Sequence, residues 1–279
     1  MSASWLTVVE GHAPLILSMP HTGTDLADIE PKLVSPWIAR KDADWYIEKL
    51  YDFGRELGAS IVRTGLSRSV IDVNRDPTGV SLYPGQTTTE LCPTTTFDGE
   101  PLYKDGRAPD DAEIARRRTR FYDPYHDALK AQIARLRAKH PCVVLYDCHS
   151  IRSVVPRLFE GELPNFNIGT NSGKSCAAAL EAAVAGACAK TNYSHVVNGR
   201  FKGGYITRHY GRPAENVHAI QMELACRGYL KECNGPVDEK DWPVGYDATY
   251  AAPMRAALTQ VLNACLNFTK NNRPQGDIT

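Results

Sequence analysis

The sequence Cys-Val-Val-Leu-Tyr-Asp-Cys-His-Ser, residues 142–150, places an apolar run directly before a group of polar side chains. Residues 142–146 are β-branched or apolar and predict a buried strand. Asp147 and His149 follow where that strand is expected to end. In α/β sheets, functional residues gather at the carboxyl ends of the strands. This segment therefore predicts a strand of an α/β fold with candidate functional residues at its end.

Similar apolar runs alternate with helical patterns along the chain. Strands are also predicted over residues 15–19, 60–63, 69–73 and 217–224, and helices over residues 44–57, 110–139, 174–190 and 251–271. The helix at 110–139 is expected to be interrupted near Pro124. This alternation predicts an α/β sheet with helices on both faces. Residues 76–107, rich in Pro, Thr and Gly, predict a long surface excursion of the kind that often acts as a lid, and residues 272–279 predict a frayed end.

Composition and charge exclude several classes of protein. The 279 residues carry 32 Lys and Arg and 32 Asp and Glu, for a net charge of zero, whereas a nucleic-acid binder usually has a basic excess. No apolar run approaches the roughly 20 residues that span a bilayer, and the N-terminus lacks the pattern of a signal peptide. The eight cysteines are scattered without a C-x-x-C pair, which predicts reduced core residues of a cytoplasmic protein. No linker divides the chain, so one catalytic domain over residues 1–279 is expected.

Two histidines at predicted strand ends suggest a metal site. His21 lies in the turn after the first strand, and His149 follows the strand at 142–146. A catalytic zinc ion takes three protein ligands and keeps one position for water. The two histidines would therefore need a third ligand, and the candidates are the carboxylates of Asp25, Asp42 and Asp44. Taken singly, each histidine also fits a capping or hydrogen-bonding role.

Other polar residues at strand ends are candidates for orientation and catalysis. Asp147 could orient an imidazole or cap its strand. Glu223 lies in an otherwise apolar run, residues 219–225, where a carboxylate is costly to bury without a partner. Either a salt-bridged edge strand or a catalytic base explains it.

A set of arginines predicts an anionic substrate, because the guanidinium fork binds carboxylates through two hydrogen bonds. The set consists of Arg68, Arg75 with the preceding Asn74, Arg152 and Arg208. Each of them taken alone also fits a surface ion pair.

Two further motifs are weaker. Residues 169–175 resemble a phosphate-binding loop but have three residues between the glycines where that loop has four. Cys148 beside His149 does not predict a nucleophile–base pair, because adjacent residues of a strand point to opposite faces.

Seven segments in order carry a family resemblance. They are PHTG (20–23), DADW (42–45), SRSVIDVNRDP (67–77), LYDCHSIRS (145–153), LFEGELPNFNIGTN (158–171), NGRFKGGYITRHYG (198–211) and HAIQMELA (218–225). Over about residues 15–230 the chain thus resembles the N-formylglutamate amidohydrolase family, which is distantly similar to zinc carboxypeptidases and aspartoacylases. The resemblance implies a three-layer α/β sandwich with a mixed, zinc-carboxypeptidase-like central sheet.

The resemblance also implies roles for individual residues. His21 and His149 match zinc ligands, Glu223 matches the general base, and Arg68 matches an arginine that polarises the scissile carbonyl. Asn74 and Arg75 match residues that bind a substrate carboxylate. Thr24 stands where carboxypeptidases carry a glutamate ligand, so Asp44, and after it Asp42, is the expected third ligand. Arg208 is the expected anchor of a second carboxylate, with Arg152 or Lys202 as its replacement.

The expected activity is zinc-dependent hydrolysis of N-formyl-L-glutamate, a small anionic substrate, to formate and L-glutamate in histidine degradation. One alternative is an amidohydrolase or carboxypeptidase that acts on another N-acyl acidic amino acid. The other is a binder of acidic amino acids without catalysis. Neither a nucleic acid nor a membrane is an expected partner, and the sequence does not predict an oligomeric state.

Overall fold

A nine-residue strand, β4 (Val143–Ile151), lies in the middle of the sheet. The structure is a computed structural model, and it describes residues 5–233 and 235–271. All nine residues are buried, because β2 (Leu15–Met19) and β7 (Val217–Ala225) pair with β4 in parallel on either side. The carboxyl ends of these three strands therefore meet at one edge of the sheet. The predicted frayed end at 272–279 lies outside the described residues.

The described strands form one mixed sheet of seven, in the order β1-β3-β2-β4-β7-β5-β6. The remaining members are β1 (Leu6–Val9), β3 (Ser60–Thr64), β5 (Phe166–Gly169) and β6 (His195–Val197). β1 is antiparallel to β3, and β5 is antiparallel to β7, whereas β2 and β3 and also β5 and β6 run parallel. Every strand between residues 6 and 225 therefore belongs to this one sheet. The single catalytic domain over residues 1–279 stays a prediction.

Helices cover both faces of the sheet. They are α1 (Pro36–Arg40), α2 (Ile47–Leu50), α3 (Asp111–Arg117), α4 (Asp123–Arg137), α5 (Ala178–Ala189), α6 (Tyr205–Tyr210) and α7 (Ala248–Asn271). Successive strand residues point to opposite faces, so β4 contributes to two cores. Tyr146 packs in the core that includes α2, α5 and α7, and Leu145 packs in the core that includes α4 and α6. The predicted three-layer α/β fold is confirmed.

Two predicted elements differ from the structure, and a third agrees with it. The helix at 44–57 is reduced to α2 and a 3₁₀ turn (Asp52–Arg55), because Tyr46 has a left-handed backbone with φ of 62°. The strand predicted over residues 69–73 is wrong, since these residues form turns and irregular backbone. The helix at 110–139 is interrupted by a π-helical turn (Arg118–Tyr122) directly before Pro124 in the first turn of α4, close to the predicted position.

The cysteines are free, as expected, and seven of the eight are buried. Cys233 is exposed, so the prediction of a core position is wrong for that residue. Across residues 5–233 and 235–271, no helix is both long and apolar enough to cross a membrane.

Candidate metal and substrate site

Two histidine rings meet at the carboxyl edge of the sheet. His21 follows β2, His149 lies near the end of β4, and their Nδ1 atoms are 3.1 Å apart. Asp44 joins them from the segment before α2: its Oδ2 is 3.1 Å from His149 Nδ1 and 3.6 Å from His21 Nδ1. The Asp44 backbone N–H donates to the His21 carbonyl oxygen at 2.9 Å, which fixes the two segments together. All three side chains are buried.

The outer nitrogen of each ring contacts a second carboxylate. His21 Nε2 is 2.6 Å from Asp72 Oδ1, and His149 Nε2 is 2.9 Å from Asp147 Oδ2. A carboxylate that accepts from Nε2–H leaves the Nδ1 lone pair free to bind a metal, the arrangement typical of metal-bound histidines. Asp147 is itself held by Ser18, whose hydroxyl donates to Oδ1 at 2.8 Å. The orienting role of Asp147 stays a prediction, and its carboxylate lies within hydrogen-bond distance of the His149 ring.

Asp72 is the acceptor that connects the histidines to the arginines. Besides His21, it accepts hydrogen bonds from Arg68 Nη2 at 2.7 Å and from the backbone N–H of Asn74 at 2.9 Å. Arg75 Nη1 lies 3.3 Å from the same carboxylate. Burial alone would raise the pKa of Asp72, but Arg75, His21 and Arg68 hold it well below its usual range. An ionised Asp72 therefore fixes one imidazole and two guanidinium groups at once.

The three-residue group has the features of a cation site. Asp44 Oδ1 is buried and has no hydrogen-bond partner, which is costly in the absence of a cation. Burial alone would raise the pKa of Asp44, but its contacts with His149 and His21 lower it, so this carboxylate is ionised. Two imidazole nitrogens and one carboxylate oxygen form a donor set that suits zinc. His21, Asp44 and His149 are the only such group of three or more found among the described residues.

Glu223 lies beside this group. In the parallel pairing of β4 and β7, Glu223 is the register partner of His149. Its Oε2 accepts a hydrogen bond from Gln221 Nε2 at 3.2 Å, and its side chain lines a cavity. Burial raises the pKa of Glu223 to about 7, against the opposing charges of His149 and Arg68. A carboxylate with a pKa near neutrality can accept a proton and release it again in one reaction cycle.

A cavity of about 610 Å³ opens over the site. His21, His149 and Glu223 line it, and much of its wall comes from residues 76–92 of the predicted surface excursion. Its cationic residues are Arg68, Arg75 and Arg200. The Arg68 guanidinium also lies over the Phe97 ring, 4.6 Å from its centroid. The size suits a small ligand, and the arginines favour an anionic one.

Asn74 is placed between the strands and α6. Its Nδ2 donates to Asp147 Oδ2 at 3.2 Å, and its Oδ1 accepts from the Ile206 N–H at 2.8 Å. Gly204 permits this approach, because a Cβ at that position would lie 2.5 Å from Asn74 Nδ2. The Asn74 side chain therefore supports Asp147 in addition to lining the cavity.

Arg152 and Arg208 are placed away from the cavity wall, judged over the residues that the structure describes. Arg152 Nη2 donates to Asp98 Oδ2 at 2.7 Å and lies 3.5 Å from Asp42 Oδ1. Arg208 donates through Nη1 to the Leu82 carbonyl oxygen at 2.8 Å. The substrate roles expected for these two arginines stay predictions.

The alternative ligands also lie elsewhere. Asp42 Oδ2 accepts from the Phe97 backbone N–H at 2.7 Å, and Asp25 Oδ1 accepts from that of Ala27 at 2.8 Å. Lys202, the other replacement considered for Arg208, contacts the site region through its backbone N–H, which donates to Tyr83.

Sequence reasoning missed two residues of the site, Asp72 and Arg200. Asp72 interrupts the apolar run from Val70 to Val73, and the cost of burying such a carboxylate was a signal for it, as it was for Glu223. Arg200 has no comparable signal, because its position on the cavity wall depends on contacts with residues far away in sequence.

Known proteins resemble this chain over most of its length. The model of the family described as N-formylglutamate amidohydrolase matches residues 13–230, most of the chain. The chain belongs to the N-formylglutamate amidohydrolase family. An N-formylglutamate deformylase of Pseudomonas putida is 46% identical over 263 residues, which cover 94% of this chain and 95% of the relative. The N-formylglutamate deformylase of Pseudomonas aeruginosa is also 46% identical, over 94% of this chain and 96% of the relative.

The fold agrees with that of a solved structure named for the same family. The N-formylglutamate amidohydrolase of Ralstonia eutropha JMP134 superposes with a TM-score of 0.77 at 22% identity, covering 97% of this chain and 100% of that one. The family model and the two relatives that are 46% identical confirm the family resemblance carried by the seven motifs. All seven motifs fall within or overlap the matched residues of the N-formylglutamate amidohydrolase family.

Proposed function

We propose that this chain hydrolyses N-formyl-L-glutamate to formate and L-glutamate at a single divalent metal. The observation that carries the proposal is the convergence of His21 Nδ1, His149 Nδ1 and Asp44 Oδ2. The two histidines line a cavity that Glu223 and Arg68 also line. The curated relatives that are 46% identical are N-formylglutamate deformylases, which supports the choice of substrate and bond.

The proposed ligands are His21, Asp44 and His149, and the proposed metal is Zn²⁺. Zinc ligands about 2.0–2.1 Å from a tetrahedral ion lie about 3.3–3.4 Å from one another, and the three ligand atoms here lie 3.1, 3.1 and 3.6 Å apart. When bound, the ion supplies Lewis-acid polarisation of a carbonyl and a water molecule of lowered pKa. Asp72 and Asp147 orient the two imidazoles for this role.

Glu223 is the proposed general base. Its carboxylate accepts the proton of the attacking water and then transfers it to the nitrogen of the leaving glutamate. The pKa of about 7 suits both steps, since the group is readily ionised and readily protonated near neutrality. Gln221 fixes the carboxylate through its hydrogen bond to Oε2.

Arg68 is proposed to stabilise the negative charge that develops on the formyl oxygen. Its Nη2 is bound to Asp72, and its Nη1 lies 3.9 Å from Asp44 Oδ1, at the metal group. A donor fixed in advance stabilises a developing charge without having to reorganise during the reaction. Phe97 and Asp72 fix this guanidinium from two sides.

Asn74 and Arg75 are proposed to bind the α-carboxylate. Arg75 is held by Thr89, whose carbonyl oxygen accepts from Nε and whose hydroxyl accepts from Nη2, both at 2.9 Å. Arg75 therefore presents a fixed positive charge next to Arg68. We also propose a cytoplasmic location, which the free thiols of all eight cysteines support.

A substrate panel tests the proposal. The purified protein with one equivalent of Zn²⁺ is incubated with N-formylglutamate, N-acetylglutamate and a dipeptide with C-terminal glutamate, and release of L-glutamate is measured. We expect the highest kcat/KM for N-formylglutamate. Preference for the dipeptide would favour a carboxypeptidase, and binding of all three without release would favour a binding protein; either result would refute the proposed activity.

A further inference from the structure

One cavity-lining arginine has no carboxylate partner. Arg200 Nε donates to the Leu158 carbonyl oxygen at 2.7 Å, and Nη2 donates to the Thr87 carbonyl oxygen at 3.0 Å. Both acceptors are neutral, and within residues 5–233 and 235–271 no carboxylate forms an ion pair with Arg200. Burial lowers the pKa of this half-buried guanidinium. Tyr83 and Glu223 oppose this lowering, but neither forms an ion pair with the guanidinium. Among the described residues its positive charge therefore has no ion-pair partner, at the wall of the cavity that would receive the substrate.

The other two arginines of the cavity differ in this respect. Arg68 Nη2 and Arg75 Nη1 lie 2.7 Å and 3.3 Å from the same oxygen of Asp72. One carboxylate thus partly neutralises both of them and ties both to the metal group. Among the described residues, Arg200 forms no hydrogen bond or ion pair with His21, Asp44 or His149; the carbonyl oxygens of Leu158 and Thr87 hold it instead. The cavity consequently has an inner, partly neutralised cationic region and a separate, unpaired cation.

We propose that Arg200 binds the side-chain carboxylate of the substrate and so selects acidic N-formyl amino acids; this proposal rests on the proposed function. The covalent structure of N-formylglutamate decides between its two carboxylates. The α-carboxylate carbon is two bonds from the amide nitrogen, close to the reacting bond and to Arg68 and Arg75. The side-chain carboxylate carbon is four bonds from that nitrogen, so it extends to the arginine outside the metal group.

Tyr83 positions Arg200 from the surface excursion. The Arg200 guanidinium carbon lies 5.5 Å from the Tyr83 ring centroid, and that of Arg208 lies 4.7 Å from it. The Tyr83 hydroxyl donates to the Gly203 carbonyl oxygen at 2.9 Å. Arg208 binds the same carbonyl oxygen through Nε at 2.9 Å. Arg208 therefore connects the excursion to the segment before α6, whereas Arg200 presents its charge to the cavity.

The test compares substrates that differ by one charge. N-formylglutamine lacks the charge of the side-chain carboxylate, and N-formylisoglutamine lacks that of the α-carboxylate. Losing one hydrogen bond to a charged group lowers affinity by about 10- to 150-fold. For Arg200→Met we therefore expect kcat/KM for N-formylglutamate to fall by about that factor, mainly through KM. Turnover of N-formylglutamine should change little, and Arg200→Lys should retain part of the discrimination.

Two further variants make the comparison specific. Arg212→Met is the matched control, since Arg212 lies on the exposed turn after α6 and pairs with Glu215 at 3.4 Å. Arg208→Met tests the rival anchor, and we expect it to lower the discrimination between the two substrates less than Arg200→Met does. The proposal is overturned if Arg200→Met lowers kcat/KM equally for N-formylglutamate and N-formylglutamine, the result of a purely structural role. Two other results would also overturn it. In the first, only Arg208→Met loses the discrimination between N-formylglutamate and N-formylglutamine. In the second, Arg200→Met loses discrimination only against N-formylisoglutamine.

Binding of glutarate separates this proposal from the proposed function. If the wild type releases no formate from N-formylglutamate, the proposed activity fails, and calorimetry with glutarate still probes the anion site. Tighter binding of glutarate to the wild type than to Arg200→Met supports Arg200 as a carboxylate anchor. Equal affinity of the two proteins contradicts it.

Discussion

Asp72→Asn is the substitution whose consequences follow most directly from the contacts of the site. The Asp72 carboxylate accepts from His21 Nε2, Arg68 Nη2 and the Asn74 N–H, and it lies 3.3 Å from Arg75 Nη1. An asparagine keeps the shape but removes the charge between the buried guanidinium of Arg68 and the half-buried one of Arg75. Its amide NH₂ would also face donors instead of accepting from them. The substitution therefore acts on stability and on metal binding together.

The expected magnitudes come from these two losses. Removing one partner of a buried ion pair costs about 3–5 kcal/mol, which lowers Tm by about 6–20 °C in a chain of this size. Loss of the carboxylate that orients a metal-binding histidine lowers metal affinity by about 10- to 100-fold. Tm follows from thermal unfolding monitored by circular dichroism, and Zn²⁺ affinity follows from competition with a chromogenic chelator under conditions where the variant is folded.

Asp127→Asn is the matched control. The Asp127 side chain is 71% exposed and pairs with Lys130 on the surface of α4. A surface substitution of this kind changes stability by at most about 0.5 kcal/mol. If Asp72→Asn resembled Asp127→Asn in both Tm and zinc affinity, the assignment of Asp72 as the residue that orients His21, Arg68 and Arg75 would be refuted.

Three further perturbations test other parts of the structure. Glu223→Gln should lower kcat by about 10²- to 10⁴-fold with little change in zinc affinity. It should also abolish the acid limb of the pH profile of kcat/KM, whose midpoint in the wild type is expected at or below about pH 7. A variant that keeps at least a tenth of wild-type kcat would show that Glu223 is structural. Burial lowers the pKa of His126 to about 3, so between about pH 6.5 and 3 the unfolded chain binds one proton more than the folded chain. The free energy of unfolding should therefore decrease as the pH is lowered through this range, by up to about 1.4 kcal/mol per pH unit. His126→Gln should flatten that slope in urea denaturation, and an unchanged slope would remove His126 from the explanation. Gly204→Ala should displace Asn74 and destabilise the fold by about 1–3 kcal/mol. Gly186→Ala in α5 is the control: a Cβ there meets nothing within 4 Å, so it should stabilise the fold by about 0.4–1 kcal/mol. Similar effects of the two substitutions on stability would argue against the close approach at Gly204.

The sequence predicts the central strands well, because their burial is written in consecutive apolar residues. β2 has the predicted bounds, and β7 differs by one residue. β4 extends five residues beyond the predicted end, since Asp147 and His149 satisfy each other and remain buried within the strand. The short strands β1, β5 and β6 were missed. β5 contains Asn167 and Gly169, residue types that are depleted in strands, and its position depends on pairing with β7.

The candidate site could be predicted in part for a similar reason. His21 and His149 are predictable because they follow recognisable strands, and strand ends meet at one edge of a parallel sheet. The position of Asp44 depends on two features that its sequence does not show. They are the left-handed backbone at Tyr46 and the hydrogen bond from the Asp44 N–H to the His21 carbonyl oxygen. Every arginine offers the same side chain, so the sequence alone does not show which of them faces the cavity. Arg200 lies on the cavity wall, whereas Arg208 binds the carbonyl oxygens of Leu82 and Gly203.

Turnover of N-formylglutamate during a zinc titration tests the central proposal most directly. The protein is stripped of metal with a chelator, Zn²⁺ is added in steps, and formate release is measured for the wild type and for His149→Ala. We predict that wild-type activity rises with added zinc and reaches its plateau at one equivalent, while His149→Ala remains inactive throughout. Full activity of the stripped wild type, or a wild-type titration curve from His149→Ala, would contradict a metal-dependent hydrolase with its ion at His21, Asp44 and His149.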